Sequence, residues 1–189
     1  MKYLLSVLSV TWILLCGNLS LHAEPTEQAL IKGSDLGAFY VTKLGGASDD
    51  KVDVDDTICY RCKYGSRPQI IVFTRSSDDS IVKLIRHLDE LVKSHEQSQL
   101  KAFVNVLDDD KNSASDTAKK LASVSMSKLI PLVVPVDHRA GPAAYKLNAK
   151  AKLIVMIAKE GKVDSILSLT SSRELDVKQL DDLVAQVVQ

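Results

Sequence analysis

The apolar positions along the chain follow two spacings. Gln69–Thr74 (QIIVFT) and Ala102–Leu107 (AFVNVL) are runs rich in β-branched and aromatic side chains, the pattern of strands buried on both faces. Between them Ile81, Leu84, Ile85, Leu88, Leu91 and Val92 recur at spacings of three and four, which predicts a helix with one apolar stripe. Ser76–Ser80 carries capping side chains ahead of that stripe, and Asp78 and Asp79 suit the positive end of a helix dipole. A second helix is expected over Ala114, Thr117, Ala118, Leu121 and Ala122, capped by Asn112 and Ser113. Leu129–Val136 (LIPLVVPV) is apolar, but Pro131 and Pro135 confine it to a short or edge strand.

Ala143–Leu147 suits one helical turn, and Leu153–Ala158 and Val163–Leu169 flank Glu160–Gly161, a pair fit for a tight hairpin. Ser171 and Glu174 make a capping-box pattern before a last helix with Val177, Leu180, Leu183, Val184 and Val187 on one face. Upstream, Ala38–Val41 (AFYV) is a strand candidate stopped by Gly45–Gly46, and Asp49–Asp56 (DDKVDVDD) alternates around Val52 and Val54 like a solvent-facing edge strand. Strands alternating with helices imply parallel members in a central sheet, and the late hairpin makes the sheet mixed. The chain thus reads as one α/β domain over residues 37–189, a mixed β-sheet flanked by helices with an N-terminal β extension. A polar lead-in at 24–36 precedes it.

The first residues add a compartment. Lys2 precedes Leu4–Cys16 (LLSVLSVTWILLC), an uncharged apolar run, and Gly17, Asn18, Ser20 and Ala23 follow. The run is shorter than the roughly 20 residues that span a bilayer, so residues 1–23 read as a secretory signal peptide cut before Glu24. The alternatives are an N-terminal anchor, or a lipoprotein modified at Cys16, against which Leu15 occupies a place normally held by a small residue. Cleavage removes Cys16 and leaves Cys59 and Cys62 in an extracytoplasmic (periplasmic or secreted) protein, where disulfides persist. With 46% hydrophobic and 25% charged residues the composition is globular, and 24 basic against 24 acidic side chains give no basic excess. Nucleic acid is therefore not an expected partner, nor is a membrane once the signal is removed.

The element order from Gln69 onward resembles the thioredoxin-like superfamily in its peroxiredoxin and periplasmic thiol–disulfide reductase form. The likeness is carried by QIIVFTRSSDDS (69–80), IPLVVPVDH (130–138), AAYKL (143–147) and KLIVMIAKEGKV (152–163). It implies a thioredoxin-like fold and, in redox members, a reactive cysteine or Cys-x-x-Cys pair in the loop after the first core strand. Here that loop is Thr74-Arg75-Ser76-Ser77-Asp78-Asp79, without cysteine. The family's cis-proline before the strand at Leu153 is also missing, since Asn148–Lys152 reads NAKAK. These departures argue against a peroxidase.

The remaining chemistry sits in Cys59-Tyr60-Arg61-Cys62, ahead of the core strand and followed by Gly65, Ser66 and Pro68 rather than by an evident amphipathic helix. Two readings stay open. Cys59 and Cys62 form a displaced redox dithiol that exchanges with a protein partner or thiol substrate, with Arg61, Lys63 and Arg67 favouring thiolate, the more exposed cysteine attacking and its neighbour resolving the mixed disulfide. Alternatively they form a permanent disulfide in a non-catalytic binding or scaffold domain. Zinc would need four Cys/His ligands, and His87, His95 and His138 are not spaced to complete a site with the cysteines. No metal and no cofactor is expected. Asp108–Asp110 reads as a solvated loop, and Arg75 with the helix start at Ser77 as a possible small-anion contact. The partner and the oligomeric state are not legible.

Overall fold

A computed structural model of the chain describes residues 29–189; the expected signal segment, with Cys16, lies outside these residues. The elements in chain order are β1 (Val41–Gly45), β2 (Thr57–Ile58), α1 (Tyr60–Tyr64), β3 (Gln69–Thr74), α2 (Asp79–Ser94), β4 (Lys101–Val106) and α3 (Lys111–Ser125). They continue with β5 (Leu132–Pro135), a 3-10 turn at Ala143–Tyr145, β6 (Leu153–Lys159), β7 (Lys162–Leu169), a 3-10 turn at Ser172–Glu174 and α4 (Val177–Val187). The strands form one mixed sheet in the order β2-β1-β5-β4-β3-β6-β7. β3 runs parallel to β4 and β4 to β5, while β6 is antiparallel to β3 and β7 to β6.

The runs expected to be buried on both faces are so: every residue of β3 is buried, and β4 is buried from Ala102 on. Side chains alternate between two cores, as strand geometry requires. Ile70, Val72, Val104, Val155 and Ile157 face a core shared with α2, α3 and α4. Ile71, Phe73, Phe103, Ile154 and Met156 face the other, covered by shorter pieces of chain: the segment at Leu36 and Phe39, α1, and Tyr145.

Several boundaries differ from expectation, each for a physical reason. β1 begins at Val41, where the expected strand ended, because Val41–Gly45 is the stretch that pairs with β5. Asp49–Asp56 is not an edge strand; its turns return backbone bonds to Lys43 (Lys43 N to Asp56 O, Asp55 N to Lys43 O), and β2 is only Thr57–Ile58. β5 is short, as its prolines require, but lies inside the sheet because β1 covers its free edge. The cap of α3 is Asp110, not Asn112 or Ser113, since its carboxylate reaches Ser113 N at 2.7 Å. Ser171 caps the 3-10 turn, and Asp176 caps α4. At the β6–β7 turn Glu160 and Gly161 both take positive φ (57° and 75°), the conformation a two-residue hairpin needs. That turn also receives the segment ahead of β1, with Leu36 N on Gly161 O and Gly33 N on Val163 O.

The second core is aromatic. All three phenylalanines and three of the five tyrosines lie in it, with ring centroids 5.2–6.1 Å apart, inside the range of favourable ring pairs. Phe103, fully buried on β4, touches Phe39, Tyr60 and Tyr64 at once. Phe103→Ala is expected to cost about 3–5 kcal/mol, read as a lowered urea midpoint. A loss below 1 kcal/mol would mean that the rings do not hold this face.

Candidate functional site: the Cys59–Cys62 disulfide

Cys59 and Cys62 are joined by a disulfide, Cα to Cα 5.2 Å. A short helix exists where none was expected: Cys59 is the N-cap of α1, and its Sγ accepts from Cys62 N at 3.1 Å. Tyr60 and Tyr64, four apart and so on one face of the helix, press onto Phe103 at 5.7 and 6.0 Å. That i, i+4 tyrosine pair is the signal from which α1 could have been read. The helix stops at Gly65, whose φ of +63° suits glycine, and Gln69 Nε2 donates to Gly65 O at 2.8 Å.

The two cysteines differ in exposure. Cys59 is buried, at 6% exposure, while Cys62 is exposed. The basic neighbours do not gather around them. Arg61 turns toward the β6–β7 turn and reaches Gly161 O at 3.5 Å, and Arg67 Nε donates to Gln99 at 3.0 Å. Only Lys63 stays exposed beside Cys62 without an ion pair among the described residues.

Beneath α1 lies a buried ionic network. The Lys43 side chain is 3% exposed, and its ammonium donates to Ala47 O (2.9 Å), Val52 O (2.7 Å) and Asp50 Oδ1 (2.7 Å). These use all three of its donors. Asp50 accepts from Val52 N at 3.0 Å and, through its other oxygen, from the Tyr60 hydroxyl. Burial, reinforced by the bond and charge of Asp50, pushes the Tyr60 hydroxyl far above its ordinary range; burial and the Asp50 charge do the same to Tyr64. Burial likewise raises Tyr145. Sequence reasoning missed this network, because a lysine on a short strand and an aspartate seven residues on in a polar loop carry no signal of burial.

The loop where the resemblance places a reactive cysteine is at the other end of β3, about 20 Å away for six residues of strand. Asp78 occupies it as the N-cap of α2. Its burial, which opposes ionisation, is outweighed by bonds from the hydroxyls of Ser80, Ser172 and Ser76 and from Ile81 N, so its carboxyl lies far below the usual range. This corrects the anion reading, since the chain's own carboxylate already sits on the helix start, and Arg75 instead donates to Arg139 O. In the position expected of the cis-proline, Lys152 offers its carbonyl to Arg75 N at 2.9 Å.

The other candidates are dispersed. His87 bonds Asp181 across α2 and α4 at 2.6 Å, His138 Nδ1 lies 2.8 Å from Asp108 O, and His95 closes the end of α2. Among the described residues no three His, Cys, Asp or Glu side chains are grouped to hold a metal. Asp108 is not merely solvated: bonds from Asp110 N and the Ser113 hydroxyl lower its pKa.

Comparison with known proteins places the fold. No protein-family model matches the chain, and no curated protein sequence does. Solved structures do. AhpC of Mycobacterium bovis is similar with TM-score 0.63 at 15% identity, over 86% of this chain and 99% of its own. The thioredoxin domain of a thiol-disulfide oxidoreductase from Bacteroides vulgatus gives 0.62 at 14%, over 85% and 100%. A thiol:disulfide interchange protein from Bacteroides sp. gives 0.60 at 15%, over 85% and 92%. The fold is thioredoxin-like, and it carries a Cys-x-x-Cys disulfide.

The raised tyrosines fix a pH dependence. Above about pH 10 tyrosines of the unfolded chain lose their protons while these keep theirs, so the native state binds more protons and stability falls as pH rises. Each such tyrosine contributes a slope of about 1.4 kcal/mol per pH unit. Urea midpoints from pH 9 to 11.5 should therefore fall less steeply for Tyr60→Phe than for the unaltered chain; equal slopes would refute the burial-driven shift at Tyr60.

Proposed function

We propose that this protein performs thiol–disulfide exchange through Cys59–Cys62, with Cys62 as the sulfur a partner attacks. The observation that carries this reading is the unequal exposure of the two cysteines within a thioredoxin-like fold. A thiolate of the partner bonds to Cys62 Sγ, the Cys59–Cys62 bond breaks, and Cys59 leaves as a thiolate that accepts from Cys62 N. A second partner thiolate then attacks the partner's sulfur in the mixed disulfide and releases Cys62. Two partner thiols are oxidised by two electrons to a disulfide, and the protein's disulfide is reduced to two thiols that take up the two protons. The reverse reaction reduces a partner disulfide. Work outside the cytoplasm fits this chemistry, because a disulfide persists there and residues 1–23 have the composition of a signal peptide.

A second reading has its own support. Cys59 is packed in a core while the pair ties the N-cap of α1 to its first turn, as a static crosslink in a binding or scaffold domain would. Reduction potential and trapping separate the two. Cys59→Ser should accumulate mixed disulfides on the exposed Cys62, whereas Cys62→Ser, left with the buried sulfur, should not. A potential below about −300 mV, together with no trapping on Cys59→Ser, would establish the crosslink instead.

A further inference from the structure

Beside α1 a groove runs along the surface toward the C-terminal half of α2. It consists of two adjoining hollows of about 320 and 700 Å³ that share Arg67, Val92, Lys101, Lys128 and Leu129. Lys63 and Tyr64 line the end next to the disulfide, and Lys93 and Glu96 line the far end. The floor is apolar: Val92 and Leu100 are buried, and Leu129 presents a side chain that is 41% exposed.

The charges around this floor are unbalanced. Lys63, Lys93, Lys101 and Lys128 have no ion pair among the described residues, and Arg67 is held only by the neutral Gln99. Of the carboxylates on the groove, Asp50 is taken by Lys43, and Asp89 accepts from the Ser127 hydroxyl, Lys128 N and Leu129 N at 2.9–3.0 Å. Those donors are neutral, so Asp89 keeps its charge and with Asp49 and Glu96 sets three carboxylates, unpaired among the described residues, against the five cations Lys63, Arg67, Lys93, Lys101 and Lys128. The groove is thus positive inside a chain whose formal charge is zero, and its cations are spread from the neighbour of Cys62 to the last turn of α2.

Resting on exchange at Cys62, we propose that this groove docks an acidic, cysteine-bearing peptide segment of a protein partner and so brings its thiol to Cys62. A spread of cations over an apolar floor suits an extended peptide with both carboxylates and apolar side chains. It suits nucleic acid poorly, since the groove's only aromatic residue, Tyr64, is buried and cannot stack on a base. Complementary charge of this kind speeds encounter and selects partners.

The test compares reduction of the full chain's disulfide by two peptides of identical dithiol sequence, one flanked by glutamates and one by lysines. Dithiothreitol serves as the reductant that needs no groove. The glutamate peptide should react about tenfold faster or more at low salt, and the preference should shrink as salt screens it. Lys93→Glu with Lys128→Glu, neither of them on α1, should abolish the preference and leave the dithiothreitol rate unchanged. Equal peptide rates with a normal dithiothreitol rate would overturn the docking proposal and leave exchange at Cys62 standing. Preference surviving in the double variant would overturn it too, as would tighter binding of oligodeoxythymidylate than of the glutamate peptide. Absence of exchange with all three reductants would overturn both proposals.

Discussion

Three long helices on a single face leave the opposite face of a seven-stranded sheet to be closed by short pieces of chain, and Phe103 is where those pieces meet. None of the pieces is long enough to be stable alone: α1 spans five residues, and an isolated helix needs roughly 12–15. Each holds its shape because its aromatic side chains gain more by leaving water than the chain loses in ordering. Phe39 arrives from the chain start, Tyr60 and Tyr64 from α1, and Tyr145 from the loop after β5. The position of α1, and with it that of the disulfide, depends on this convergence.

The ionic network under α1 extends the same constraint into the loops. Taking Lys43 and Asp50 out of water is costly, and is offset only when every polar atom finds a partner. The loop from Gly46 to Asp56 meets that demand by wrapping the ammonium, and Tyr60 closes it from α1. A carboxylate spent this way is unavailable to the groove next to it. That is why a surface with several aspartates on its rim is still positive.

Much of the core was legible because burial on both faces or on one stripe leaves a periodic trace. β3, the stripe of α2 and the β6–β7 hairpin could be placed from spacing alone. The capping residues were less legible: Asp110 and Asp176 displaced the expected Asn112, Ser113 and Ser171, since several capping side chains compete within one polar stretch and only the path of the chain decides among them. The interior place of β5 was hidden as well. Its prolines argued for a short or an edge strand; it is short, and the strand that covers its edge comes from a weakly patterned stretch upstream. The cysteine pair itself was plain to see. Its helix was harder to see, because five residues carry no periodicity beyond the single Tyr60–Tyr64 pair, and Lys43 and Asp50 lay on a weakly patterned strand and in a polar loop whose composition suggested solvent.

The unequal exposure of the two cysteines follows from the aromatic anchoring. On an α-helix successive residues turn by about 100°, so Tyr60 and Tyr64 share a face and Cys62, two residues from each, must point the opposite way. Burying both tyrosines on Phe103 therefore commits Cys62 to solvent. Cys59, one step before the helix, has extended backbone (φ −99°, ψ 95°) and turns inward as the cap. The disulfide joins the outward position to the inward one, so the exchange proposed above would start at Cys62 with Cys59 as the leaving sulfur. At the far end of β3 the same fold offers a helix start to a carboxylate, and Asp78 fills it. Among the described residues, the rings on Phe103 thus leave the outward cysteine at the opposite end of β3 from that carboxylate.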